Sequence, residues 1–447
     1  MKNLLINFLE AIIASSLLLS CGQFDSEIDN GSQSGKNKAN YKTTDMCMAE
    51  EALYNFVGSL PGTTKTEKGD IIIKNVRRSC HTKSGVDYPL PVYEMDIESQ
   101  DGVEGFAVVG DSSIQHQVFV YVPYGSIQDT ISYSPISSYF RELYASLQSC
   151  SIQTKNDYDG NRVGVLFNAP DWSTQEYIRD ITEDEAAWYN AHQDSLAFGL
   201  HYNYAGCGIS TQWDQDEPYN WEAPYYLDTA TSTYKHYLVG CVPISVGQTL
   251  AFMHVPSNRD WSLILQSPTI STSQTARAHA VSSFLTYDVA YYLNTVYSIG
   301  DGGTPVGGTY GYAVGDLLDH YGISYDYITA QPGAPMIVFN RDLYSIMLEN
   351  PNPMIVGGAR HVTVSGEVKS YSHSWVVDLV MRQGKWFYKT TKTNGIYKLY
   401  KYCAYGYLNS CRWGWGGSYD GWYYSFYPSY NKQYIYEINA YVNLVKE

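Results

Sequence analysis

Apolar positions recur at three- and four-residue spacing through Met46, Ala49, Ala52, Leu53, Phe56 and Val57, which predicts an amphipathic helix. Short apolar runs bounded by Gly, Asp and Pro follow at 70–75, 91–97, 105–110 and 117–124, and these read as strands. The helical period returns at Ile136, Phe140, Leu143, Tyr144 and Leu147. Residues 45–151 therefore read as one small α/β unit, in the order helix, several strands, helix. Residues 152–200 are polar and acidic and read as a joint with one helix around 173–190. Residues 201–447 read as a larger domain. It is loop-rich at first, with helices near 241–254 and 276–293, and ends in strands rich in Tyr, Val and Trp. The class is α+β. No internal repeat or heptad pattern interrupts it.

The first twenty residues differ in kind. Lys2, an apolar run and Leu-Leu-Leu-Ser before Cys21 read as a signal peptide (1–20) ending in a lipobox-like sequence. The expected product begins at a diacylated Cys21. Residues 21–44 are Gly-, Ser- and Asn-rich and read as a flexible tether. The acidic run from Phe24 to Asp29 resembles the surface-export signal of some Gram-negative lipoproteins. The expected location is the cell envelope, as an outer-membrane lipoprotein that is surface-exposed or periplasmic and meets the membrane through Cys21.

Composition narrows the partners. The net charge of −16 argues against nucleic acid, since a phosphate footprint needs a basic patch. Charged residues make up only 17% while 44 residues are Tyr, which suits an exported chain with large aromatic surfaces. Of eight cysteines, removal of Cys21 from the count leaves an odd set: Cys47, Cys80, Cys150, Cys207, Cys241, Cys403 and Cys411. An odd thiol in an exported protein is a remainder or a reactive site. No Cys/His spacing suggests a metal, and no cofactor is expected.

Cys241 is the cysteine with a chemical context. Val242, Val246, Leu250 and Met253 follow it at helical spacing, Gly240 precedes it, and Pro243 suits a first turn. A thiol at a helix N-terminus gains thiolate character from the dipole, and a thiolate is the nucleophile of covalent acyl transfer. A buried structural cysteine is the bland alternative. A base is available in His373, in Tyr371-Ser372-His373-Ser374-Trp375-Val376-Val377-Asp378, expected at the start of a strand; His361 competes. His254, His279 and His320 read as ordinary hydrogen-bonding residues. Gln215, in Trp213-Asp214-Gln215-Asp216-Glu217-Pro218-Tyr219-Asn220, can donate to an oxyanion. Arg412-Trp413-Gly414-Trp415-Gly416-Gly417 reads as an aromatic turn that shields the pair from water, or as a tight turn without a chemical role.

At these residues the sequence resembles the streptopain-like cysteine peptidases, which have a papain-like fold. Their W/Y-x-Q-x-x-P-Y-N is matched by Trp213 to Asn220, which implies Gln215 as the oxyanion side chain. Their G-C-V-A-x-A-x-A-Q is matched by Gly240-Cys241-Val242 with Gln248 in register, which implies Cys241 as nucleophile. Their G-H-A-F-V-x-D-G is matched from Ser372 to Leu379, which implies His373 and demotes His361. Their N-W-G-W-G-G-x-x-D-G is matched from Arg412 onward, which implies Trp413 and Trp415 as the active-site wall. The interval from Cys241 to His373 also fits the roughly 130–150 residues between nucleophile and His in papain-like enzymes. Gly105 to Asp111 resembles a strand of the family's inhibitory propeptide.

The resemblance implies a two-lobed papain-like peptidase domain (201–447), with a helical and a β-rich lobe. Before it come an inhibitory prodomain (45–151) and a processing linker (152–200). The implied activity is cysteine endopeptidase, its partners a protein or peptide substrate and the chain's own prodomain. A degenerate relative that binds peptides or glycans at the surface is the alternative. The departures are Pro243 and Ile244 after the nucleophile, Ser372 and Leu379 in place of glycines, and Arg412 in place of Asn. Either Arg412 addresses His373 and disturbs it, or Arg412 turns to an acidic neighbour such as Asp420 while a backbone carbonyl or Asn409 orients the ring.

Overall fold

The computed structural model describes residues 44–61, 71–79, 92–112, 115–127, 176–191, 198–299, 305–330, 336–364, 367–424 and 435–446. The expected leader, Cys21, Cys80, Cys150 and the expected helix at 136–147 lie outside them. Helix α1 (Thr44–Val57) precedes β1 (Ile71–Ser79), β2 (Val92–Ser99), β3 (Glu104–Ser112) and β4 (Gln115–Val122). Next come β5 (Glu176–Ile181), α2 (Glu183–Ala191) and β6 (Phe198–Gly206). The hairpin of β7 (Tyr225–Asp228) and β8 (Thr233–His236) leads into α3 (Cys241–Phe252), α4 (Trp261–Ile264), α5 (Thr275–Ser283) and a π-helical segment, Phe284–Ala290. A second hairpin, β9 (Val296–Ile299) with β10 (Pro305–Gly308), is followed by α6 (Ala313–His320), β11 (Ile323–Thr329) and α7 (Met336–Glu349). The chain closes with β12 (Met354–Val364), β13 (Glu367–Thr393), β14 (Ile396–Arg412), β15 (Gly421–Tyr424) and β16 (Ile435–Lys446). The fold is α+β. Among the described residues, no helix is long and apolar enough to cross a membrane.

One antiparallel sheet takes its strands in the order β1-β2-β3-β4-β15-β14-β13-β12-β16-β11, with β5 also on β14 and β6 also on β13. The N-terminal strands enter it where Tyr121 and Val120 of β4 pair with Trp422 and Tyr423 of β15. Phe56 of α1 meets Tyr121, Tyr202 and Trp422 edge-on, so one apolar core runs from α1 into the C-terminal strands. A second core gathers around α3, with Trp213, Val246, Leu250, Phe284 and Leu317 fully buried. Burial of each such side chain contributes about 1.5–3 kcal/mol. Trp213 thereby pins a segment that has no regular structure of its own.

β13 changes partner midway. It pairs first with β12, placing His373 opposite Gly358 and Ser374 opposite Gly357. Its pairing with β14 slips between Val377 and Leu379. Beyond the slip it pairs with β6, Leu379 opposite Gly206. Asp378 is the residue left over at this bulge.

Three expectations need correction. The stretch at 173–190 is not one helix: Glu176–Ile181 is a strand on β14, and only Glu183–Ala191 is helical. The cause is a reciprocal cap. The Glu185 backbone N–H donates to the Thr182 hydroxyl at 3.2 Å, and the Thr182 N–H donates to the Glu185 carboxylate at 2.9 Å, which starts the helix after Thr182. The helix expected at 276–293 divides into α5 and the π-helical segment. His373 lies well inside β13, which begins at Glu367.

Candidate functional site

Cys241 opens α3. Gly240 before it has φ 102°, and a Cβ there would run into the Gly307 carbonyl oxygen, so only glycine makes this entry. Pro243 costs no hydrogen bond, because first-turn N–H groups have no partner within the helix. Backbone N–H groups of Ser374, Val242 and Cys241 itself lower the pKa of the thiol, but burial outweighs them and pushes it up. The Ser374 contact ties the thiol to β13. Ser245 of α3 and Ser374 also share a hydroxyl hydrogen bond of 2.7 Å, and Ser374 Oγ donates to the Val356 carbonyl at 3.2 Å. Helix α3 is thus fastened to the strand that carries His373.

His373 sits among indoles. Its ring centroid lies 4.9 Å from Trp415, 6.0 Å from Trp413 and 6.4 Å from Trp375. Trp413 and Trp415 stack on each other at 5.9 Å. Desolvation lowers the His373 pKa to about 4, opposed only by the Trp413 carbonyl. His373 Nε2 lies 3.0 Å from that carbonyl oxygen. A carbonyl only accepts, so Nε2 carries the hydrogen and Nδ1 is the basic nitrogen of the neutral ring. Burial therefore moves the thiol and the imidazole both toward their neutral forms, against the charge-separated pair that the helix start alone suggests.

Arg412 points away from His373. Its Nε donates to Asp378 Oδ2 at 3.0 Å, and its Nη1 lies 3.7 Å from Asp420 Oδ2. Asp420 Oδ1 accepts the Trp413 N–H at 2.9 Å. Asp378 Oδ2 also accepts the Ile209 N–H at 2.9 Å. The backbone carbonyl of Trp413, and not Asn409, meets the ring N–H, and the Asn409 amide donates to Asn340.

The remaining motif segments arrive by main-chain contacts. Trp213 N–H donates to Gln248 Oε1 on α3 at 3.2 Å, and the Trp213 carbonyl accepts the Gly416 N–H at 3.0 Å. The Gln215 carbonyl accepts the Val239 N–H at 2.9 Å, just upstream of Cys241. The Gln215 side chain is half-buried and makes no hydrogen bond to another described residue. Gly414 packs on Ile244, where an added Cβ would lie 2.9 Å from Ile244 Cγ2. Cys241, His373, Trp413 and Trp415 are thus gathered at one place, with the Gln215 backbone beside the entry to α3.

Other candidates are engaged elsewhere. His361 lies along β12 opposite Ser370, away from the His373–Gly358 pair. His279 hydrogen-bonds Glu222 at 2.8 Å, while His254 stacks on Trp261 and His320 on Tyr292. Burial pushes the Cys207 thiol up to about 12. Among the described residues no His, Cys, Asp and Glu cluster could hold a metal ion. Sequence reasoning missed Asp378, Ser245 and Ser374. A strand bulge and a helix–strand hydroxyl pair depend on contacts between distant segments, so no local pattern announces them. Comparison of the chain with protein-family models, with curated proteins and with solved structures gives no match.

Proposed function

We propose that the chain is a cysteine endopeptidase of the papain-like, streptopain-like kind, exported as a lipid-anchored zymogen. The observation that carries the reading is that segments far apart in sequence, each chosen for its chemistry, meet around Cys241 and His373. The papain-like two-lobed arrangement belongs to the same proposal; it is supported by a helical layer around α3 meeting the β13 sheet at the site.

In the proposed reaction Cys241 Sγ attacks the scissile carbonyl carbon as His373 Nδ1 takes the thiol proton. Since both groups rest neutral, proton transfer accompanies attack. Negative charge then develops on the former carbonyl oxygen. The Cys241 N–H and the unengaged Gln215 amide are the donors for it. Collapse of the intermediate breaks the C–N bond, and the imidazolium returns its proton to the leaving amine. Water, deprotonated by the same imidazole, hydrolyses the thioester.

Replacement of Cys241 by Ala tests this. Cleavage of an unfolded protein substrate should vanish, and the melting temperature should change by only a few degrees, because Cys→Ala removes little buried volume. Cleavage that survives removes Cys241 from the reaction. A second reading, an inactive surface binder of peptides or glycans, is favoured by one observation: an open groove of about 710 Å³ walled by Trp221, Tyr225, Tyr287 and Tyr291.

A further inference from the structure

We propose that Arg412 is a positioning residue for the Cys241–His373 centre. Anchored between Asp378 and Asp420, it fixes the Trp413 peptide, whose carbonyl holds the His373 ring in one tautomer. The inference rests on the catalytic reading above and names how the ring of that site is oriented.

The argument begins with burial. The Asp378 side chain is 0% exposed, that of Asp420 4% and that of Arg412 21%. The Asp378 carboxylate, so far from water, needs a cation, and a planar guanidinium can face it and Asp420 at once. Asp378 is fixed by the β13 bulge and by the Ile209 N–H. Asp420 is fixed by its own N–H donating to the Gly417 carbonyl at 3.1 Å. The Arg412 side chain is thereby clamped on two rigid supports.

Asp420 performs a second task. One oxygen faces Arg412 and the other accepts the N–H of Trp413. The peptide joining Arg412 to Trp413 is gripped at the guanidinium and at the amide, which sets the direction of the next carbonyl. That carbonyl receives His373 Nε2–H. The rings around His373 are Trp375 from β13 and Trp413 and Trp415 from the turn, with Arg412, Asp378 and Asp420 behind the Trp413 peptide, while Cys241 of α3 meets β13 at the neighbouring Ser374 N–H. Among the described residues no carboxylate hydrogen-bonds the ring, so the Trp413 carbonyl alone selects Nε2–H and leaves Nδ1 as the base. The Asp378 carboxylate also offsets the guanidinium charge, so Arg412 does not oppose an imidazolium formed during turnover.

The test compares wild type with Arg412→Lys, Asp420→Ala and Asp420→Asn, each made as the full chain and activated by proteolysis before the kinetics. ¹⁵N-histidine NMR, assigned to His373 through a His373→Gln control, is read beside peptidase kinetics. Wild type should show a single Nε2–H tautomer. Arg412→Lys keeps the charge but loses the fork, and Asp420→Ala loses the grip on the Trp413 amide. Both should show mixed tautomers and about tenfold lower kcat, with KM within twofold. Asp420→Asn keeps an acceptor for the Trp413 N–H and should stay near wild type. A folded Arg412→Lys protein with a single tautomer and wild-type kcat overturns the proposal. If Arg412→Lys does not fold, the contrast between Asp420→Ala and Asp420→Asn decides, and equal behaviour of those two overturns it. Should the proteolytically activated wild type cleave nothing while Arg412→Lys still mixes the tautomers, the peptidase reading falls and the positioning role stands.

Discussion

At the scale of single residues, desolvation is the dominant force on the site. Three indoles strip water from His373, and its pKa falls to about 4. Between that value and the ordinary 6.5 the unfolded chain holds a proton that the folded chain does not. The His373 contribution is therefore complete above pH 6.5 and is lost as pH falls toward 4, on the order of 3 kcal/mol in all. Asp420 has the opposite sign. Burial raises its pKa to about 7, so stability is lost as pH rises from about 4 to 7. Denaturant titrations should show His373→Gln losing less stability than wild type on acidification from pH 6.5 to 4, and Asp420→Asn losing less on alkalinisation through the same range. Parallel curves for variant and wild type would contradict these shifts. In catalysis, His373→Ala should lower kcat by a factor on the order of 10²–10⁴, the usual contribution of a positioned base. Cys241 at a helix start was legible because helix-start grammar is local, whereas the resemblance, and not local chemistry, put His373 ahead of His361. The turn of Arg412 toward two carboxylates was only half legible: Asp420 lies a few residues away, whereas Asp378 reaches it through a strand bulge.

At the scale of elements, the site depends on how closely the Trp413–Gly417 turn approaches α3. Gly414 has φ 78°, and a Cβ would press on Ile244. Gly414→Ala should cost about 1–3 kcal/mol, from backbone strain and the forced shift, and should lower kcat by displacing the Trp413 carbonyl. Thermal unfolding and kinetics measured on the same preparation check both effects. An unchanged kcat would mean that the turn does not set the geometry of the ring. The same contact gives Ile244 a physical role as the floor beneath the turn. Helix α3 was legible from Gly240, Pro243 and the apolar spacing after Cys241. The division at 176–191 was open to the same kind of reading, since Thr182 and Glu185 carry a capping-box pattern. The partner change of β13 was not legible, because it is set by β6 and β12, two strands far apart in sequence.

At the scale of the whole molecule, the N-terminal strands are built into the sheet. Phe56, Tyr121 and Trp422 share one core, and Tyr419 beside the aromatic turn donates its N–H to the Tyr124 carbonyl at 3.0 Å. Phe56→Ala should therefore destabilise the full chain by about 3–5 kcal/mol, a loss that calorimetry would register in the transition of the C-terminal strands as well. The proposed processing linker is in part tied down. β5 lies on β14, and Tyr397 donates to Glu183 at 3.0 Å. Cuts within 176–191 should be rare, and a chain cut before Glu176 should elute as one species on size exclusion until denaturant is added. Clean separation into two folded pieces would contradict the shared core. The central claim is that Cys241 is activated by His373. Its most direct test is labelling of the proteolytically activated chain with an epoxide that alkylates papain-like enzymes, the adduct located by mass spectrometry in wild type and in His373→Ala. The account predicts modification at Cys241 that slows at least a hundredfold in His373→Ala. An adduct on another cysteine, or equal labelling of the two proteins, would contradict it.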